Sequence, residues 1–386
     1  MPHYTLGKIS RDGRQWDEAS KEFAEASRLD NDNYVYAFDL GRAYFSSRRY
    51  ADARSAFENA ARLKADFEPA WYNLGGTLRA LGRQDEALAA YRRAVSVKAD
   101  YAVAHREIGR ILAAKKDTRG AIEAFTKALQ YSPNDTASLR ELGAVQSDAG
   151  NFTAAESSFT KALQAAPNDP QTNYNMAVVK LALKKNTEAV SFAKRAADGD
   201  TGNAVYAYTL GLSEESAGHE VEAVRAYGTA AALDSRYVKP RVNLGHIYTD
   251  NGLLGEALKY LLEAYKIEPA NFEVNNNMGQ LYARQENWTA SVEHYERALL
   301  SEPGNSTARL NLARACVGAE DLAKARIAYQ EVLRVAPDNW DALFELGKTC
   351  ISLGSTAEAK KHLQDLLKRN AAYSGREEAE RILAGL

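Results

Sequence analysis

Few residues in this chain of 386 have types and spacings suited to chemistry. The six histidines, His3, His105, His219, His246, His294 and His362, are scattered, with no metal-ligand spacing among them. No metal site and no cofactor are expected. Cys316 and Cys350 are too few for a disulfide framework and stand where Tyr248 and Tyr282 occur in register, which reads as small core residues. No phosphate loop and no basic stripe for nucleic acid are present. Four N-x-S/T sequons begin at Asn134, Asn151, Asn287 and Asn305, in turns that generate them by chance. Asparagine, by contrast, recurs in register. "FEVNNNMGQLYARQENW" (272–288) sets Asn275, Asn276 and Asn277 in apparent helix, although Asn is up to ~0.7 kcal/mol worse than Ala per helical position.

Bulk properties narrow the function classes. A 386-residue chain is several domains or one extended array. The composition, 45% hydrophobic and 26% charged, is that of a folded protein, and the net charge of -2 calls for neither nucleic acid nor an anionic membrane. No apolar run approaches a membrane span. The first residues lack the basic and apolar regions of a signal peptide.

The elements that must position the asparagines follow from a period. "NMGQLY" recurs as "NLGGTL" (73–78), "ELGAVQ" (141–146), "NLGHIY" (243–248) and "ELGKTC" (345–350). Its small residue falls every 34 positions from Gly7 to Gly347, with Ala177 and Ala313 the only departures from Gly. Counting it as position 8, position 20 is Ala in ten of eleven repeats, position 27 is Ala in nine, and position 24 is aromatic in eight. Apolar spacing of three and four predicts two antiparallel helices per repeat, close at the small residues, with the large residue at 24 between them. Gly82, Gly150, Gly218, Gly252 and Gly354 at position 15 suit a left-handed helix end. Pro133, Pro167, Pro269, Pro303 and Pro337 at position 32 stop the second helix.

"WYNLGGTLRALGRQDEALAAYRRA" (71–94) resembles the tetratricopeptide pattern W-x2-L-G-x2-Y, A-x3-F, then Ala. The resemblance covers residues 1–373 as a single array of eleven repeats, with boundaries near 33, 67, 101, 135, 169, 203, 237, 271, 305 and 339. It implies an all-α, right-handed superhelical solenoid of antiparallel helix pairs, whose first helices line a concave groove. Residues 374–386 read as a capping helix, with Ile382 and Leu383 inward and Arg376, Glu377, Glu378 and Glu380 outward. Met1 stands at position 2 of a repeat, so the chain reads as a piece of a longer protein, with any targeting segment outside it, the alternative being a natural start with an unusual first repeat. Its uncapped first helix is expected to leave Leu6 and Ile9 open to self-association.

On the first helix, positions 5, 9 and 12 form one stripe, flanked by 2, 6 and 13; the resemblance turns that stripe to the groove. Position 6 carries Asn73, Asn175, Asn243, Asn277 and Asn311. Asn276 and Asn277 are thus expected to face the groove and Asn275 the neighbouring repeat. An amide offers both donor and acceptor, so a ladder of them suits the backbone of an extended peptide. Groove asparagines work that way in the tetratricopeptide arm of a sugar-transferring enzyme, which this pattern resembles; bonding within the stack is the alternative. Tyr174, Val178, Leu181, Tyr208 and Leu212 suggest a semi-apolar floor. Arg42, Asn73, Arg106 and Arg110 partly resemble the carboxylate clamp of chaperone-binding relatives, but Phe38, Gly76, Asp39 and Glu107 depart from it and leave a mixed-charge face.

The expectation is a non-enzymatic scaffold for a protein or peptide, with no nucleic acid and no membrane span. The alternatives are a substrate-recruiting arm of a larger enzyme, such as a glycosyltransferase, and a self-assembling array. Repeat six (170–203) departs most, with Ala177, Ala193 in place of the aromatic, and "DGDTGN" (198–203). It reads as drift or as a softer joint, with Phe192 turned in to refill the space.

Overall fold

The computed structural model describes residues 2–386, so Met1 lies outside the described residues. Among them the regular structure is entirely helical. The chain divides into two compact units, Met1–Gly199 and Asp200–Leu386.

The first unit holds six helix pairs: α1 (Pro2–Asp12) with α2 (Trp16–Leu29), α3 (Tyr34–Ser46) with α4 (Tyr50–Leu63), α5 (Glu68–Ala80) with α6 (Gln84–Val97), α7 (Ala102–Ala114) with α8 (Thr118–Tyr131), α9 (Thr136–Asp148) with α10 (Phe152–Ala165), and α11 (Pro170–Ala182) with α12 (Asn186–Gly199). The second holds five: α13 (Ala204–Ser216) with α14 (Glu220–Leu233), α15 (Val238–Asp250) with α16 (Leu254–Ile267), α17 (Phe272–Arg284) with α18 (Trp288–Ser301), α19 (Ser306–Gly318) with α20 (Leu322–Val335), and α21 (Trp340–Ser352) with α22 (Thr356–Arg369). A last helix, α23 (Arg376–Ala384), packs on α22. Each unit is therefore a solenoid of antiparallel helix pairs.

Three local rules recur along the pairs. The turn inside it passes through the left-handed region at position 15. Gly82 (φ 77°) and Gly218 (φ 83°) do so without strain, but Arg14, Arg48, Lys116, Lys184, Glu286 and Glu320 adopt it too, at φ 57–62°. The amide that follows bonds back to the first helix, as in Arg83 N to Leu78 O at 2.9 Å, which is the Schellman closure.

The second rule is close approach at position 8. A methyl group on Gly75 would sit 2.7 Å from the Tyr91 ring, and one on Gly143 would sit 2.6 Å from Phe159. In repeat six the large residue at 24 shrinks to Ala193 while position 8 grows from Gly to Ala177, and both are fully buried. Phe192 packs on the cluster that holds Phe159, Met176 and Val179. The helix itself keeps its full length despite "DGDTGN".

The third rule does not show in the repeat spacing. In several repeats, though not where position 4 is Ala37, Leu139, Ala207 or Leu343, position 4 carries an N–H donor that satisfies a carbonyl in the preceding turn. Trp71 Nε1 donates to Ala65 O at 2.9 Å, and Asn173 and Asn275 donate from Nδ2 to Pro167 O at 2.9 Å and Pro269 O at 2.8 Å. His105 Nε2 lies 2.8 Å from Ala99 O, and Arg241 donates to Asp234 and Tyr237 carbonyls. Asn275 is fully buried, also donates to Asn271 O at 2.9 Å, and its Oδ1 stands 3.0 Å from His294 Nδ1. Its cost as a helix former is offset by tying α17 to the turn before it and to α18.

At the C-terminal end Ala379 is buried, and Ile382 and Leu383 pack on Leu343, Phe344, Leu363 and Leu366. Arg376 departs from the outward expectation. It is half-buried and donates to Leu367 O at 3.2 Å, because the end of α22 offers an uncapped carbonyl there.

Candidate functional site

The first helices position the expected site residues, and position 5 sets their limits. Its side chain meets position 34 of its own repeat, at the step to the next. Where both are aromatic they pack as rings: Phe38 with Phe67 at 5.0 Å, Tyr72 with Tyr101 at 5.3 Å and Tyr208 with Tyr237 at 5.2 Å. The ring at 24 closes each group, as Tyr227 does at 5.6 Å from Tyr208. Where position 34 is acidic the pair is ionic instead. Arg106 bonds Asp135 at 2.8 Å, and Arg140 reaches Asp169 at 3.4 Å. The same Asp135 and Asp169 cap the next helices, which Phe67, Tyr101 and Tyr237 cannot do.

Position 6 is a polar row. In the first unit it runs Asp39, Asn73, Glu107, Glu141 and Asn175. Asp39 and Glu107 are buried acids, each held by an arginine of its own helix and by a hydroxyl or cation of the preceding repeat. Tyr4 Oη donates to Asp39 at 2.8 Å, and Arg42 lies 3.5 Å away. Burial and Asp39 push the Tyr4 phenol up to about 12. Arg79 and Arg110 meet Glu107 at 3.0 and 2.6 Å, and Arg110 Nε also donates to Glu141 at 2.8 Å. The Glu141 hydrogen bond dominates and raises the Arg110 pKa, against its desolvation. Arg42, Arg106 and Arg110 thus have acidic partners in the chain, a closed network rather than a bare clamp.

The asparagines fall into two kinds. Asn73 Nδ2 donates to Pro69 O in its own helix at 2.8 Å, and Asn175 accepts from Gln171 at 3.2 Å. In the second unit the Asn243 amide lies near the hydroxyls of Tyr208 and Tyr227, and the Tyr227 hydroxyl donates to Glu215. Burial dominates both phenols and raises them. Asn277 and Asn311 are half-buried, and the Asn276 amide lies 3.5 Å from Asn277 Oδ1, too long to satisfy either group.

Tyr174, Val178 and Leu181 belong to the first unit, with Val178 exposed. Tyr208 and Leu212 belong to the second and pack on the cluster of Ala223, Tyr227, Leu244 and Ile247. A cavity of about 380 Å³ opens there, lined by Tyr208, Val238, Lys239, Val242, Asn243, Asn271 and Glu273. It brings Tyr208 together with Asn243 and adds Lys239 and Glu273, at the flanking position 2, and Asn271, at position 34, none of them among the expected site residues. The sequence pattern gives position 2 as a flank without singling out its residues, and position 34 was the missing signal.

The histidines need a correction. His362 does have ligand-type neighbours: Cys350, Glu358 and His362 lie with their donor atoms within 4.8 Å of one another. A spacing of four on one helix joins Glu358 to His362, but the approach of Cys350 from α21 depends on how the pair packs. Both cysteines are fully buried, and burial pushes each thiol up to about 11.

Tetratricopeptide repeat models match residues 4–66, 38–102, 72–137, 106–170, 146–211, 238–271, 276–334 and 317–386. The chain belongs to the tetratricopeptide repeat family. Among solved structures it is similar to that of the APC/C hetero-tetramer Cut9-Hcn1, with 15% identity, 98% of this chain and 95% of that chain covered, and a TM-score of 0.52. Yeast Tom70 aligns over 100% of this chain and 94% of its own at 15% identity and a TM-score of 0.43. MamA aligns over 42% and 95% at 28% identity and a TM-score of 0.41. Comparison with curated proteins finds no match. Family membership makes the chain a protein–protein interaction scaffold, of a class that is generally non-catalytic. Among the described residues no helix is long and apolar enough to cross a membrane.

Proposed function

We propose that the scaffold holds an extended protein segment along the first helices of three successive pairs, α15, α17 and α19. The observation that carries this reading is the cavity of about 380 Å³ beside Asn243 and Tyr208, where an amide, a cation, a carboxylate and apolar walls meet. Asn277 and Asn311 continue the row at one residue per repeat. Their amides meet the alternating donors and acceptors of a peptide backbone, while Val238, Val242 and Tyr208 receive an apolar side chain. The arginines of the first unit contribute shape and charge balance rather than an open anion site, since their acidic partners already hold them.

The test is a peptide selected from a random library on the full chain, titrated calorimetrically against wild type and Asn277→Ala/Asn311→Ala. Weaker binding with unchanged helicity supports the reading, and unchanged affinity removes the asparagine row from it.

A second reading has its own observation. Leu6 and Ile9 of α1 are 48% and 63% exposed. We propose that this face self-associates. Sedimentation of wild type and Ile9→Ser over a range of concentrations decides it: association lost in the variant supports the reading, and a monomer in both ends it.

A further inference from the structure

We propose that Cys350, Glu358 and His362 form a binding site for a divalent metal ion of the zinc class, where α20, α21 and α22 meet. Three donor types converge from two helices. Cys350 comes from α21, and Glu358 and His362 stand one turn apart on α22, with their donor atoms mutually within 4.8 Å. His362 Nε2 lies 3.6 Å from Glu358 Oε1. Ligand edges in a tetrahedral zinc site, built from bonds of about 2.0–2.3 Å, are about 3.3–3.8 Å, so that edge already fits. The mixed thiolate, imidazole and carboxylate set suits zinc and cobalt(II) rather than magnesium or calcium, which take oxygen ligands.

A second observation is independent of the cluster's composition. His362 Nε2 is buried and has no hydrogen-bond partner in the chain. Buried ring nitrogens are normally satisfied, and a metal ion would supply what this one lacks. Glu358 is steadied from α20, where Gln330 donates to it at 3.3 Å and Arg326 lies 3.7 Å away. Such outer contacts fix a carboxylate for ligation. Its side chain is 34% exposed, which gives an ion a route in from solvent. The proton balance is simple: the ion displaces the thiol proton of Cys350 to solvent and takes up the sulfur, the Glu358 carboxylate and the neutral His362 nitrogen. A water completes the tetrahedron. Bound there, the ion clips α21 to α22 in the last helix pair.

The test is an anaerobic cobalt(II) titration of the reduced full chain, read by absorbance. One equivalent should give the near-ultraviolet thiolate-to-cobalt band and the visible bands of tetrahedral cobalt, both bleached by zinc. Glu358→Gln, at a partly exposed position that spares the core, should weaken binding more than about 10-fold, as should His362→Gln. Cys350→Ser should abolish the near-ultraviolet band, and Cys316→Ser should leave it unchanged. Absence of the bands in wild type overturns the proposal. So does a spectrum that survives Cys350→Ser, follows Cys316→Ser, or is indifferent to Glu358→Gln.

Discussion

Arg106 holds Asp135 at 2.8 Å across the step from the fourth repeat to the fifth, as Tyr72 and Tyr101 bridge the preceding step by ring contact at 5.3 Å. One pair of positions thus joins successive repeats either by aromatic packing or by an ion pair that doubles as a helix cap. Burial pushes the Asp135 carboxyl up, but Ser138 and Arg106 outweigh it and hold the group below its ordinary range. For Asp169 burial is likewise outweighed, by Thr172 and Arg140.

The first prediction follows from that sign. A carboxylate with a lowered folded pKa contributes stability that is complete above its unfolded value, about 3.9, and is lost as pH falls through the folded value. The melting temperature of wild type should therefore drop more steeply below about pH 4 than that of Asp135→Asn/Asp169→Asn, which keeps the caps but not the charges. Parallel pH profiles would show that these pairs add nothing.

The left-handed residue at position 15 gives the second. Glu286 and Lys116 adopt φ 58° and 62°, a conformation that disfavours L side chains by roughly 1–2 kcal/mol. Glu286→Gly and Lys116→Gly should each stabilise the chain by up to ~1 kcal/mol in urea titration. Gly218→Ala should do the reverse, although its Cβ would meet nothing within 4 Å. Destabilisation by both glycine variants would mean that the native side chains make compensating contacts.

Repeat six supplies a coupled test. Ala177 and Ala193 are both fully buried, where the other repeats set Gly, or Ala313 in repeat ten, against a large residue. Ala193→Phe alone should cost about 1–3 kcal/mol through overpacking, and Ala177→Gly on the same chain should recover much of it. Additive effects in the double-mutant cycle would separate the two positions.

The division of the chain at Gly199 and Asp200 falls in an exposed turn. Limited digestion with a nonspecific protease should nick residues 199–203 first, because exposed turns open most readily. A first cut inside a helix pair instead would contradict this.

Much of the fold was legible because it rests on local sterics repeated every 34 residues. The small residue at position 8 opposite the ring at position 24, and the helix stops at position 32, need no distant information. The non-glycine residues at position 15 were not legible, since Arg14 or Glu320 enters that conformation only because the closing turn imposes it. Asn275 read as a residue facing the neighbouring repeat, and it does bond Pro269 O there, but its contact with His294 follows from the register of α17 against α18. The site was harder. Tyr208 and Arg106 share a helical stripe with the groove positions, but position 34 draws both side chains into the step between repeats. The neighbourhood of Cys350 and His362 needs the packed pair α21–α22, which no spacing within one helix reports.

Whether the row of amides in the second unit holds a peptide backbone is tested more cleanly by Asn277 and Asn311 than by Asn243, which also lies beside the Tyr208 and Tyr227 hydroxyls. The direct measurement is the dissociation constant of a library-selected peptide for wild type and for Asn277→Ala/Asn311→Ala, with the melting temperature of each. The expected result is at least a ~10-fold loss of affinity, equal to ~1.4 kcal/mol, with a melting temperature equal or slightly higher because Ala is the better helix former. Unchanged affinity together with a melting temperature several degrees lower would assign these asparagines to the stack and contradict a peptide-holding role.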